Sequence, residues 1–196
     1  MQQKLIFATN NQFKFNEVKY ILGNKVNLIN LKDLNFSEDI PEIHNSLKGN
    51  AQSKALFIYD KFKIDCFADD TGLEIEALNG DPGVHSARYA GENCNFEDNI
   101  EKVLKMLTGV KNRKAKFITV ISLVENGDIT NFEGIINGEI IDEKKGNNGF
   151  GYDPIFKPDG YNLTFAEMTQ EVKNKISHRY IAIKKLANYL NTKINN

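Results

Sequence analysis

Between Phe117 and Val124 the chain reads Phe-Ile-Thr-Val-Ile-Ser-Leu-Val, apolar on both alternating faces. A strand with that pattern must be covered from both sides, which places it centrally in a sheet flanked by other layers. Asn126-Gly127 follows at once and is a strong hairpin signal, so Ile129 to Ile141 returns as one or two strands and the sheet is mixed. The covering layers come from segments with helical spacing. Phe15, Val18, Ile21 and Leu22 predict a helix from Gln12 to Leu22 that stops at Gly23. Leu47, Ala51, Ala55, Leu56 and Ile58 predict a second from Ser46 to Tyr59, and Phe96, Ile100, Val103, Leu104 and Leu107 a third that ends at Gly109. A last helix carries Ile176, Tyr180, Ile183, Leu186 and Leu190. Lys4 to Thr9 and Val26 to Leu31 read as further strands. With no repeat, low-complexity stretch or linker, the chain is expected to form one α/β unit with a mixed sheet and a cleft.

Composition narrows the class. At 196 residues the chain is long enough to bury a substantial core. The formal net charge is −1, so no global positive field points to nucleic acid or an acidic membrane, and any anion site must be local. Cys66 and Cys94 make neither a disulfide framework nor a metal-binding pair, which favours a reducing compartment. No stretch approaches the apolar length of a membrane span or a signal peptide, so a cytoplasmic protein is expected.

Chemistry is concentrated at Phe67-Ala68-Asp69-Asp70-Thr71-Gly72-Leu73. Ile64 to Ala68 reads as a short buried strand, with Asp69 and Asp70 where it meets a loop and Thr71-Gly72 turning the backbone. Leu73, Ile75, Ala77 and Leu78 then form another extended segment, closed by Asn79-Gly80. Buried carboxylates need partners, and a divalent cation is a common one; oxygen-only ligands suit magnesium or manganese. The plainer alternative is an acid pair that caps a turn.

Other polar segments flank this one. Strand, polar loop and helix at Thr9-Asn10-Asn11-Gln12-Phe13-Lys14 is an arrangement that offers backbone N–H groups to an anion, although a capping Asn and a solvated Lys explain it equally well. Glu42 lies on a loop before the second helix, and Lys54 is among that helix's polar positions. Gly149-Phe150-Gly151-Tyr152-Asp153-Pro154 is a glycine-rich loop whose aromatics could stack on a base or simply pack. Ser177 is a natural N-cap that puts His178 and Arg179 in the first turn of the last helix, where a cation opposes the helix dipole unless an anion or other ligand compensates. Lys173 lies just upstream.

Taken together, in this order, the Thr9–Lys14, Glu42–Lys54, Asp69–Gly91, Gly149–Pro154 and Phe165–Arg179 segments resemble the inosine triphosphate pyrophosphatase family, whose members are also called XTP/dITP diphosphatases. The resemblance spans nearly the whole chain. It implies an α/β fold, a single mixed-sheet domain over residues 1–196 with two lobes around a nucleotide-binding cleft, usually as a homodimer. It also implies hydrolysis of ITP, dITP and XTP to the monophosphate and pyrophosphate, with Mg2+ or alternatively Mn2+.

On this reading Thr9, Asn10, Asn11, Gln12, Phe13 and Lys14 hold the triphosphate, with Lys54 and Lys173 adding charge and Thr71 contributing its hydroxyl. Glu42 and Asp70 bind the metal, assisted by Asp69, and Asp70 accepts the proton of the attacking water. Phe150, Gly151, Tyr152, Asp153, His178 and Arg179 form the base site, where donors suit the 6-carbonyl of hypoxanthine and xanthine and disfavour adenine.

Two positions depart from the family pattern. Thr71 stands where many relatives have Ser, and Gly49-Asn50-Ala51 replaces the common Glu-Asn-Ala, which removes one acid near the metal region. The rival readings are a pyrophosphatase for other modified nucleotides and a nucleotide-binding regulator without turnover.

Overall fold

A computed structural model describes residues 4–23, 26–38, 40–92 and 95–194. Asp39 and Cys94 lie outside the described residues. In chain order the elements are β1 (Lys4–Phe7), α1 (Gln12–Leu22), β2 (Asn27–Asn30), α2 (Leu47–Phe62), β3 (Cys66–Ile75), β4 (Pro82–Gly83) and α3 (Phe96–Met106). They continue with β5 (Lys114–Glu125), β6 (Asp128–Ile140), β7 (Phe156–Pro158), α4 (Gln170–Ile176) and α5 (His178–Ile194). The strands form one sheet in the order β2-β1-β3-β5-β6-β7, with β4 paired to β3. Strand β1 runs parallel to β2 and β3, whereas β4 and β7 are antiparallel to β3 and β6, so the sheet is mixed as the hairpin requires. At the hairpin itself Asn126 and Gly127 both have positive φ, 51° and 91°, the geometry that a two-residue turn between twisted strands demands.

The residues group into two compact units. The first comprises Met1–Asp70, Thr119–Gly134 and Arg179–Asn196, and the second Thr71–Ile118 and Ile135–His178. In the first, strand alternation sorts the core into two layers. Leu5, Phe7, Phe67, Ile121 and Leu123 pack with Phe15, Val18 and Leu22 of α1 and with Ala182, Ile183, Leu186 and Leu190 of α5. Ile6, Ala8, Cys66, Ala68 and Val124 face the other way and pack with Ala55 and Ile58 of α2. The Phe7 and Phe67 rings stack at 4.6 Å on the α1/α5 side. In the second unit Leu73 and Ile75 pack with Ile100 and Val103 of α3 and with Phe117, Ile140, Phe156 and Phe165.

Helix limits follow local chemistry. Asn11 caps α1 by accepting from the Lys14 N–H, and Gly23 at φ 57° ends it. Ser46 caps α2 by accepting from the Gly49 N–H at 3.1 Å.

Two expectations are corrected. Strand β3 does not end at the acid pair; it runs for ten residues through Asp69, Asp70, Thr71 and Gly72, with no turn, because apolar Phe67, Ala68, Leu73 and Ile75 on either side are all fully buried. Ile176 closes α4 and does not open the last helix, since the extended backbone of Ser177 (φ −65°, ψ 156°) separates the two.

Candidate active site

Adjacent strand residues point to opposite faces, so Asp69 and Asp70 are served by different helices. Asp69 follows the parity of Phe67 toward α1 and α5. Its Oδ1 accepts from the Lys14 ammonium at 3.1 Å and its Oδ2 from Arg179 Nε at 3.4 Å. A second nitrogen of the same guanidinium, Nη1, pairs with Glu17 of α1. Glu17, Asp69 and Arg179 are all buried, Arg179 to 1% exposure, whereas Lys14 retains 16% of its side-chain exposure. Asp70 follows Cys66 and Ala68 toward α2. Lys54 Nζ lies 3.5 Å from its Oδ1, and Asn50 Nδ2 donates to its Oδ2 at 3.1 Å. Lys54 also donates to Glu42 Oε1 at 2.5 Å.

These surroundings drive the two acids apart. Burial alone would raise both, but at Asp69 the charges of Lys14, Arg179 and Lys54 outweigh it and bring the carboxyl down to about 2. At Asp70 burial prevails over Lys54 and Lys14, helped by the like charge of Glu42, and the carboxyl is raised above its ordinary value. Asp69 is therefore held as an anion by its cations, and Asp70 is the more basic of the two carboxylates. Lys14 is lowered, first by burial and then by Lys54 and Arg179, against the pull of Asp69. Lys54 moves the other way: burial opposes it, but Asp70, Glu42 and Asp69 together raise it.

The segment before α1 is tied down by its own side chains. Thr9 Oγ1 accepts from the Asn11 N–H at 3.1 Å, and Asn11 Oδ1 from the Lys14 N–H at 3.1 Å. Asn10 Nδ2 donates to the Glu38 carbonyl at 3.3 Å, and Gln12 Nε2 to Asn16 Oδ1 at 2.9 Å. Phe13 is half exposed. The Asn11 cap is thus present, but Lys14 is not the solvated lysine of that reading: it extends from the loop onto Asp69.

The second unit holds the glycine-rich loop. Asp153 Oδ2 accepts from the Phe150 N–H at 2.8 Å and from Lys173 Nζ at 2.6 Å, the latter a buried ion pair. That ammonium also lies 5.1 Å from the Phe150 ring centroid. Gly149, at φ 77°, is needed here, because a Cβ would strike the Asp153 carboxylate. Gly151 also has positive φ. The Tyr152 hydroxyl is buried and donates to the Ser86 carbonyl at 2.9 Å. The His178 ring stacks on Phe117 at 4.6 Å, and Thr71 is half-buried on β3.

Sequence reading did not single out Glu17 or Asn50. Both carried a signal: each falls in register with buried positions, Glu17 beside Val18 and Asn50 between Leu47 and Ala51. A polar side chain on the apolar stripe of a helix is one that needs an internal partner.

Among the described residues no three His, Cys, Asp or Glu side chains cluster as a metal cage. Two carboxylates, Glu42 and Asp70, do converge on one point, now the Lys54 ammonium, and Asp70 stays raised despite that charge. A pair of converging carboxylates fits Mg2+, which typically takes one or two protein carboxylates and completes its shell with water and phosphate oxygens. Both Asp69 oxygens are engaged by cations.

The Ham1 family profile matches residues 5–189. The chain is 51% identical to the dITP/XTP pyrophosphatase of Porphyromonas gingivalis over 189 residues, covering 96% of this chain and 97% of that one. It is 51% identical to the protein of the same name from Flavobacterium johnsoniae over 187 residues, covering 95% and 97%. Among solved structures, the Staphylococcus aureus Ham1 protein matches with a TM-score of 0.89 at 40% identity, covering 97% of this chain and all of that one. The Mycobacterium abscessus nucleoside-triphosphatase / dITP/XTP pyrophosphatase matches with a TM-score of 0.76 at 37% identity, covering 94% and 98%. The resemblance read from five polar segments and these matches along the whole length agree: the chain belongs to the Ham1 family.

Proposed function

We propose that the protein is a dITP/XTP pyrophosphatase: it hydrolyses dITP, XTP and ITP to the monophosphate and pyrophosphate and so clears deaminated purines from the nucleotide pool. The observation that carries the reaction is the division of labour on β3, with Asp69 engaged by Lys14 and Arg179 and Asp70 converging with Glu42 on Lys54. Relatives half identical over the full chain bear the same name.

The residues act as follows. Thr9, Asn10, Asn11, Gln12, Phe13 and Lys14 receive the triphosphate, with Lys14 steadied by Asp69 and Lys54 adding charge. Glu42 and Asp70 hold Mg2+, with Mn2+ as the alternative, and Asp69 assists by organising the cations around them. Bound there, the metal supplies positive charge to phosphate oxygens and acidifies a water. Asp70 takes a proton from the water as it attacks the α-phosphorus. The bond from that phosphorus to the α,β-bridging oxygen breaks, and the electron pair leaves with pyrophosphate.

Phe150 stacks on the base, flanked by Gly151 and Tyr152, and Asp153, His178 and Arg179 read its edge. Thr71 lends its hydroxyl. Lys173, which sequence alone suggested for the triphosphate, is better assigned to Asp153 and Phe150, given its bond to one and its place over the ring of the other.

We further assign residues 1–196 as one catalytic domain that acts as a homodimer, as the family resemblance implies, and place it in the cytoplasm on its cysteine usage. No helix among the described residues is long and apolar enough to cross a membrane. Light scattering of the purified protein tests this: twice the chain mass would support the dimer, and the chain mass alone would overturn it.

The experiment for the function is turnover of ITP, XTP, dITP, GTP, ATP and dUTP with Mg2+, with pyrophosphate resolved from orthophosphate. Pyrophosphate mainly from ITP, XTP and dITP supports the proposal. Orthophosphate as the product, or equal rates on all six, overturns it.

A further inference from the structure

Helix α2 presents two polar side chains one turn apart, Asn50 and Lys54, both buried on the stripe that packs against the sheet. Each reaches the same two elements. Lys54 joins Asp70 to the Glu42 side chain, through bonds to Asp70 Oδ1 and Glu42 Oε1. Asn50 makes the parallel connection: its Nδ2 donates to Asp70 Oδ2 at 3.1 Å, and its Oδ1 accepts from the His44 N–H at 2.9 Å. A carboxylate can only accept and a backbone N–H can only donate, so the amide is used at both ends and only one orientation serves. Asn50 is 2% exposed, which makes both bonds costly to lose.

The loop it grips carries Glu42 two residues before His44. Space for the grip depends on Gly49, where a Cβ would come within 2.8 Å of His44 Cβ and 2.9 Å of Ser46 Oγ. Close seating of the 44–46 backbone on the first turn of α2 brings the His44 N–H to Asn50.

We propose that Asn50 is a positioning residue for the Asp70 and Glu42 carboxylates, fixing the first through its N–H and the second through the backbone of the loop that bears it. It turns Asp70 so that Oδ2 is occupied and Oδ1 is left toward Lys54 and Glu42, and it sets the distance at which Glu42 meets that oxygen. A neutral amide does this without adding charge, which a second lysine would not. The inference rests on the metal-assisted hydrolysis proposed above.

Two variants separate the ends of the bridge. Asn50→Asp keeps an oxygen for the His44 N–H but turns the group facing Asp70 from donor to acceptor; Asn50→Ala removes both bonds. Orienting partners of metal-binding carboxylates are typically worth about 10–100-fold. For Asn50→Ala, kcat on ITP is expected to fall at least ~10-fold with KM within ~3-fold, and Mn2+ binding, read from the free-ion electron paramagnetic resonance signal without nucleotide, to weaken ~3–10-fold. Asn50→Asp should lose kcat comparably and melt below the parent at pH 8, because it sets a second buried carboxylate against Asp70. Wild-type kcat in Asn50→Asp, together with unchanged Mn2+ affinity in Asn50→Ala, overturns the proposal. If Asn50→Ala does not fold, Asn50→Asp decides through kcat. If the parent itself releases no pyrophosphate, the assigned reaction fails, while the Mn2+ measurement still decides the role of Asn50.

Discussion

Arg179 and Asp69 stand 110 positions apart in the chain and form a buried pair, guanidinium Nε to carboxylate Oδ2 at 3.4 Å, with Glu17 on the far side of the same guanidinium. The planar guanidinium offers separate donors to the two acids in fixed directions, a geometry that a lysine at this position does not reproduce. Removal of one partner from a buried ion pair typically costs about 3–5 kcal/mol, because the other charge is left stranded. Arg179→Lys is expected to lower stability by roughly 2–4 kcal/mol. Urea unfolding followed by circular dichroism measures this, and a loss within error would mean that the guanidinium is not the centre of the network.

Asp70→Asn tests the proton acceptor. Removal of a general base costs about 10²–10⁴-fold in rate, so kcat on ITP should fall by at least ~100-fold. Nucleotide binding, followed by calorimetry, should stay within a few-fold, because Lys14 and Lys54 remain. Unchanged turnover would move the base elsewhere.

Acid stability should report on Asp69. Its folded carboxyl lies at about 2, below the unfolded value of about 3.9. A depressed carboxyl contributes stability that is complete above the unfolded value and lost as pH falls through the folded one. The window is therefore about pH 4 down to pH 2, and the loss is on the order of 2 kcal/mol. Urea titrations in EDTA between pH 2 and 6 should show the slope, and Asp69→Asn should flatten it.

Cys66 should be inert. Burial, reinforced by Asp65, pushes its thiol up to about 12, and Sγ donates to the Ala55 carbonyl at 3.1 Å. In a Cys94→Ser background no thiol should react with a disulfide reagent at pH 8 until the protein unfolds. Prompt labelling of the native protein would contradict the packing of β3 against α2.

Lys173→Met probes the base-side loop. Without the ammonium, Asp153 loses its buried charge partner and Phe150 loses the cation over its ring. KM for ITP should rise about 10-fold with kcat little altered, the pattern of lost ground-state binding. A fall in kcat alone would place Lys173 nearer to the reacting phosphates.

Much of this was legible from residue order. Helix α1 was bounded to the residue because Asn11 and Gly23 are chemical stops, and the β5–β6 hairpin followed from Asn126-Gly127. The uninterrupted course of β3 was not legible, because two acids, a threonine and a glycine look like a turn when the cations on Asp69 lie 55 and 110 positions away and the one on Asp70 lies 16 away. Glu17 and Asn50 carried a signal, each a polar residue in register with buried ones, but what each binds was not legible before its distant partner was placed.

The unbroken run of β3 has a consequence for how this segment tolerates changes in length. A loop can gain or lose a residue and reclose, but a paired strand that slips by one exchanges its faces. A single-residue deletion between Cys66 and Ala68 would carry Asp70 to the face of α1, α5 and Arg179, and Asp69 to the face of α2 and Lys54. The count of residues before the acid pair is therefore as strict a requirement as the acids themselves, and the tolerance that surface turns enjoy ends where this strand begins.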